Sequence, residues 1–275
     1  MMVDAILLVL REVLEAALII TILMVMSRKL GFSLHWILVA LVMGTLSSWA
    51  LAHYAYTIAD ALGGTGQEWT NALLYFMVVL AFIVIAAFIA PLLFNTPHQL
   101  RHLAREDTPR LNRQLLVAAA IFAVGLSLAR EVAEIWIYLG GFAQQPDKLE
   151  SALTGGAIGL GIGASLGAIT YYLLVFISVR RFIYLLFSFL ILLSGGLATQ
   201  IAKQLLQIGV LDSAAPLWDT SRLVNEHSWL GELLYALIGY DSSPSAIQVI
   251  FYWLAVTPLI VIGIWQWRRR KLAHA

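Results

Sequence analysis

Five residues near the start of the chain, Arg11-Glu12-Val13-Leu14-Glu15, recur in its middle as Arg130-Glu131-Val132-Ala133-Glu134. At 3.6 residues per turn, Glu12 lies about 100° and Glu15 about 40° around a helix from Arg11, so all three charges share one face, and the second copy repeats the geometry. Arg11 and Glu15, four apart, can pair along the helix. An ion-pair network that merely fixes helix register would explain one arginine with one glutamate. It leaves the second glutamate of each copy unexplained. Each motif carries −1 and the two together −2, a charge that a buried network does not keep uncompensated, so protons or a metal ion are expected there. The chain has no cysteine, which leaves oxygen and imidazole as metal ligands. Four carboxylates without sulfur describe a site for a hard cation. No histidine sits beside either motif: His35 and His53 flank one apolar run, His98 and His102 lie in a basic loop, and His274 is in the tail. That argues against a di-metal oxygenase centre, whose signature is Glu-x-x-His at helical spacing. A histidine-paired nucleophile is also absent, and no Gly-Lys-Ser/Thr phosphate loop occurs.

The elements that must carry these motifs follow from composition. Of 275 residues 61% are hydrophobic and 12% charged, and the mean hydropathy is +0.85. A water-soluble domain has about 25% charged residues and cannot hide so much apolar surface. The net charge of +1 gives bulk nucleic-acid binding no support. Seven apolar runs, 3–26, 35–59, 69–94, 115–140, 152–177, 182–206 and 246–267, each reach the length of about 20 residues that spans a bilayer. The expected fold is therefore all-α, a polytopic membrane protein with seven transmembrane helices in a single membrane domain. The first run has no basic n-region and carries Arg11, Glu12 and Glu15 in its middle, so it reads as a span and not as a signal peptide. Each ionised residue at mid-span costs about 2.5–3.5 kcal/mol. Six standing alone would cost on the order of 15–20 kcal/mol, so they must face one another or water inside the bundle.

Basic residues set the orientation. Arg28, Lys29, Arg101, Arg105, Arg110, Arg113, Arg180, Arg181 and Arg268–Lys271 fall on one side, against Lys148, Lys203 and Arg222 on the other. The positive-inside rule then puts the N-terminus outside. Asp4, Asp60, Glu68, Asp147, Glu150, Asp212, Asp219, Glu226, Glu232 and Asp241 share that outer side, where they reinforce insertion or attract cations to an entrance. Each motif opens a set of three spans, and three is odd, so spans one and four run in opposite directions. The chain thus reads as a 3+3 inverted repeat: 1–95, then 115–207, an external loop at 208–245, and an extra helix at 246–267. Transporters built this way bind their substrate near mid-membrane, where the repeats meet.

Gly155, Gly159, Gly163 and Gly167 lie at spacing four on one helix face, with Gly44, Ser48 and Ala52 a weaker counterpart; both read as close helix packing. Trp36, Trp69, Trp218 and Trp265, near span ends, read as interfacial anchors. In the external loop, Trp229 to Gly239 reads as a short amphipathic helix. Around it, Asp212, Asp219, Glu226, His227, Glu232 and Asp241 form either a capture site for incoming cations or a solvated edge.

With both motifs in view, the chain resembles the high-affinity iron permease family of bacteria and fungi, and is most similar to its bacterial inner-membrane members. The resemblance runs along essentially the whole chain and includes His227, Ser228, Gly231, Gly239, Tyr240, Pro244 and Ser245, similar to a His-Ser…Gly…Gly-Tyr…Pro-Ser stretch in those members. It implies a seven-span importer of iron, as Fe²⁺ or Fe³⁺, with iron as cargo and no cofactor. The iron-handling glutamates it implies are Glu12, Glu15, Glu131 and Glu134, supported by Arg11 and Arg130. It also implies an exported iron-binding protein with a haem peroxidase, or an oxidase, as partners. The family commonly has glycine third in the motif, where this chain has Val13 and Val132. Other readings are import of another divalent cation such as Mn²⁺ or Pb²⁺, an intramembrane carboxylate enzyme, and a scaffold.

The charge asymmetry yields a direct test of topology, uncomplicated by native thiols. A cysteine introduced near Arg105 should react with impermeant thiol reagents only from the cytoplasm, and one near Asp219 only from outside. External labelling of both would overturn the seven-span arrangement.

Overall fold

The computed structural model describes residues 1–94, 110–212, 215–225, 228, 231, 234–235 and 239–273. Among them the chain is helical: α1 (Met2–Lys29), α2 (His35–Ala61), α3 (Gly66–Ile89, ending in a 3₁₀ turn at Ala90–Phe94), α4 (Arg110–Gly140), α5 (Pro146–Phe176), α6 (Val179–Gln207) and α7 (Ala246–Ala273). No strand forms among the described residues, and the isolated bridge is Pro216 to Ser245. Six of the helices are long and apolar enough to cross a membrane. The remaining one, α1, matches them in length, but Arg11, Glu12 and Glu15 interrupt its apolar run.

Local chemistry sets several helix ends. Pro146 occupies the first turn of α5, where a missing N–H costs nothing. Ser245 and Gln248 cap α7 reciprocally, the Ser245 N–H donating to Gln248 Oε1 at 2.7 Å and the Gln248 N–H to Ser245 Oγ at 3.4 Å; this is a capping box. Gly31, at φ 72°, turns the chain between α1 and α2.

The densest core lies where α1 and α3 finish and α4 and α6 begin. Leu23, Met26, Phe82, Ile85, Ile89, Phe182, Leu186 and Leu190 are buried there together, and the Trp36 indole donates to Ser27 Oγ at 3.0 Å inside it. Apolar side chains such as Leu46, Leu173, Phe176 and Leu254 point outward, as a lipid-facing surface requires.

Small residues decide which helices meet, as the glycine stripe predicts. Helix α5 packs along α1 and α2 along α4, while α3 and α7 flank α6. A Cβ on Gly159 would stand 2.6 Å from Ile6 O and 3.0 Å from Leu10 N, and one on Gly163 would stand 2.7 Å from Val13 Cγ1. On the other pair, a Cβ on Gly44 would stand 2.7 Å from Leu128 Cβ and 3.0 Å from Gly125 O. Backbones that approach this closely gain dispersion and lose lipid contact, the means by which helices associate where no hydrophobic drive exists between them.

The 208–245 segment is tied down at its ends. The Leu217 N–H donates to Pro244 O at 2.9 Å and the Thr220 N–H to Ser242 O at 2.7 Å. Gly239, at φ 66°, lies directly on Gly196 of α6, where neither a side chain nor an ordinary backbone would fit. Of the amphipathic stretch, Gly231, Leu234 and Tyr235 are helical, whereas 229–230, 232–233 and 236–238 lie outside the described residues.

Gly159→Ala should therefore lower stability by about 1–3 kcal/mol, because its methyl meets backbone and α5 must move off α1. Gly161→Ala, with nothing within 4 Å, should be neutral or gain up to about 1 kcal/mol from helix propensity. Thermal unfolding of the purified protein in detergent checks both, and equal midpoints for the two would contradict the α1–α5 contact.

Candidate intramembrane carboxylate site

The motifs meet where α1 and α4 cross. Arg130 is 7% exposed and holds three carboxylates at once. Its Nη1 donates to Glu134 Oε1 at 2.8 Å, and its Nη2 donates to Glu15 Oε2 at 3.0 Å and to Glu131 Oε1. The ring of Tyr75 on α3 lies 4.7 Å from the guanidinium carbon, a cation–π contact that needs no further hydrogen bond. Arg11 has fewer partners. Its Nε donates to Glu15 Oε1 at 3.2 Å, so the helical pair expected from the spacing forms, and its side chain is 46% exposed. Glu15 takes one arginine from each motif and so joins the two halves.

Glu12 and Glu131 are 5% and 2% exposed. Both line the wall of one cavity, and Oε2 of each is buried without a hydrogen-bond partner among the described residues. A buried carboxyl oxygen without a donor is costly, and a proton or a cation relieves that cost. The four motif glutamates thus divide: Glu15, Glu131 and Glu134 each accept from Arg130, whereas no hydrogen bond from either arginine reaches Glu12 among the described residues. Among the described residues, no three His, Asp or Glu side chains gather closely enough to hold a metal ion together.

Two openings reach the site. A half-open cavity of about 830 Å³ runs between α1, α4 and α5, with Glu12 and Glu131 on a wall otherwise lined by residues such as Val13, Val132 and Leu160. A narrow recess of about 40 Å³ lies on the other side of Arg130 and is lined by Gln67, Thr70, Asn71, Arg130 and Glu134.

Tyr75 and Tyr235 escape a reading of the sequence. Tyr235, from the 208–245 segment, lies with its ring 5.1 Å from the Arg11 guanidinium and 5.0 Å from Lys203 Nζ, and its hydroxyl donates to Gln200 Oε1 at 2.6 Å. The one signal in the chain is a hydroxylated aromatic within an apolar stretch, which does not name a partner. Glu68, in the first turn of α3, also has a buried oxygen without a partner.

The acids expected at the entrance are differently placed. Asp241 is bonded to Lys203 Nζ at 2.8 Å and accepts from Gln248 Nε2 at 2.8 Å. Asp219 is exposed and accepts from the Ser221 N–H at 2.9 Å; bonding to Ser221 holds its carboxyl below the usual aspartate value. Asp212 is exposed. Glu226, His227 and Glu232 lie outside the described residues.

Long apolar helices that bury an arginine and its carboxylates where they cross have the build of a membrane transporter. The model of the Iron permease FTR1 family matches residues 84–268, from the end of α3 to the end of α7, with the Arg130 motif inside the match. The chain belongs to the Iron permease FTR1 family, a transporter family with iron as cargo. No curated protein and no solved structure matches it.

The two arginines should differ in structural weight. Arg130→Gln strands buried carboxylates and should cost about 3–5 kcal/mol. Arg11→Gln removes a half-exposed contact and should cost under about 1 kcal/mol. Unfolding midpoints in detergent decide this, and equal losses would show that Arg130 is not the central tie.

Proposed function

We propose that this permease imports iron across a bacterial inner membrane through a site shared by its two Arg-Glu-Val-x-Glu motifs. The observation that carries the reading is the Glu12–Glu131 pair: one buried glutamate from the same position of each motif, both on the wall of one cavity, each with an unpartnered oxygen. A cation between them would satisfy both oxygens. Glu15 and Glu134, held by Arg11 and Arg130, complete the set of oxygen ligands when the ion draws them from the guanidinium groups. Two arginines and four glutamates leave −2, which Fe²⁺ neutralises; Fe³⁺ leaves one positive charge unless a further acid contributes.

The same reading takes α1 as a seventh span with the N-terminus outside, and 1–95 and 115–207 as inverted repeats. The helix pairing supports this. Exchanging helices one, two and three with four, five and six turns the α1–α5 contact into α4–α2, and these are the two most extensive contacts in the bundle. Gly159 against α1 and Gly44 against α4 are counterparts in that exchange. Outside, the exposed Asp212 and Asp219, together with Glu226, His227, Glu232 and Asp241, raise the local concentration of cations. An exported iron-binding protein with a haem peroxidase, or an oxidase, would supply the ion.

Iron uptake into proteoliposomes tests the site. Glu→Gln at Glu12, Glu15, Glu131 or Glu134 should each reduce uptake by at least about tenfold with the protein still inserted, and Glu15→Gln combined with Glu134→Gln should cost little more than either alone, because groups acting as a unit are not additive. Arg11→Lys or Arg130→Lys, which keeps the charge but loses the planar fork, should give partial loss. Uptake surviving removal of both glutamates of one motif would defeat the shared site. Competition by Mn²⁺ and Pb²⁺ in the same assay decides metal preference.

A further inference from the structure

We infer that the recess between α2, α3 and α4, apolar on its α2 wall at Leu51, Ala55 and Ile58 and polar on its α3 wall, is an outer loading site, where Gln67 and Asn71 receive a partly hydrated divalent cation and pass it to Glu134. The inference rests on the import reading above and adds the route by which the ion arrives. Gln67, Thr70 and Asn71 follow each other at helical spacing three and four, so they share one face of α3, and that face lines the recess opposite Glu134 and Arg130. The side-chain amides of Gln67 and Asn71 make no hydrogen bond to any described residue. The Thr70 hydroxyl spends its proton on Gly66 O at 2.7 Å and keeps its lone pairs. These are neutral oxygen donors at the mouth of a charged site, the ligand type that hard cations take together with water.

Glu134 is placed to be the first charged ligand. Its side chain is 33% exposed against 18% for Glu15, and Glu12 and Glu131 are buried. One of its oxygens accepts from Arg130, which leaves the other for an ion. The recess, about 40 Å³, holds an ion with part of its water shell, given that each water needs roughly 10–15 Å³ measured this way. Arg130 stands between the recess and Glu131. A cation at Glu134 competes with the guanidinium for that carboxylate and loosens the partition in front of the buried pair. The other opening, the cavity between α1, α4 and α5, is lined mainly by apolar side chains such as Val13, Val132 and Leu160, which offer a hydrated cation no ligands before Glu12 and Glu131.

The native chain has no thiol, so Ala55→Cys, on the α2 wall of the recess, gives a single reporter; Leu223→Cys, in the exposed segment, is the control. Uptake by each variant before treatment is its own reference, and Leu223→Cys should transport Fe²⁺ like the parent. A cationic, membrane-impermeant thiol reagent added outside should then cut uptake by the Ala55→Cys protein at least about tenfold and leave the Leu223→Cys protein unaffected, and external Fe²⁺ should slow labelling at position 55. Asn71→Leu should raise the half-saturating Fe²⁺ concentration about five- to tenfold with the maximal rate held, a split that loss of folded protein does not produce. Labelling at 55 without loss of uptake, no access from outside, or an unchanged half-saturating concentration in Asn71→Leu would each overturn the loading site. If the parent itself takes up no iron, the import reading fails, and protection of position 55 by Fe²⁺ or Mn²⁺ still decides whether the recess binds a cation.

Discussion

The guanidinium of Arg130 is the contact on which the rest of the bundle depends. A single planar fork from α4 reaches Glu131 and Glu134 on its own helix and Glu15 on α1, with Tyr75 of α3 against it. Three helices are thereby fixed at one depth. Charge buried in an apolar medium is tolerated only when paired and hydrogen-bonded, so the crossing of α1 and α4 cannot slide without stranding a carboxylate. Arg130 reaches Glu131 through Oε1 alone, and Oε2 of Glu131 and of Glu12 stay buried without a partner.

That crossing is possible because the flanking helices give way. Helix α5 presents glycine to α1 at Gly155, Gly159, Gly163 and Gly167, and α2 presents Gly44 and the buried Ser48 toward α4. Val13 illustrates the compensation. The space its branched side chain needs is supplied by Gly163 across the interface. Bulk sits on one helix and room for it on the other, and the close approach of α1 and α5 survives.

The two motifs, identical in three charged positions, end in unlike surroundings. Arg130 is enclosed and Arg11 half exposed; Arg130 lies on a tyrosine of α3 and Arg11 on one from the 208–245 segment. Lys203, on the same Tyr235 ring, pairs with Asp241 and extends that contact away from the crossing.

Much of this protein is legible in its amino-acid chain alone. Apolar runs bounded by charges specify helices that overrun them by a few residues, since ends such as Arg28 and Lys29 continue the helix past the apolar stretch. Helical spacing fixes the face of each motif and of the glycine stripe, and composition with the doubled motif points to a transporter and its family. These follow from short-range geometry, which a sequence encodes directly. Spacing names a face but not the neighbour opposite, so it does not tell that Arg130 gathers three acids and Arg11 only one. Nor does it show that Glu12 and Glu131 line one cavity, that Asp241 is taken by Lys203, or that Tyr75 and Tyr235 seat the two arginines. Those outcomes are set by which helices approach and at what depth, and that is decided by packing of the whole bundle, where contacts join residues more than a hundred positions apart.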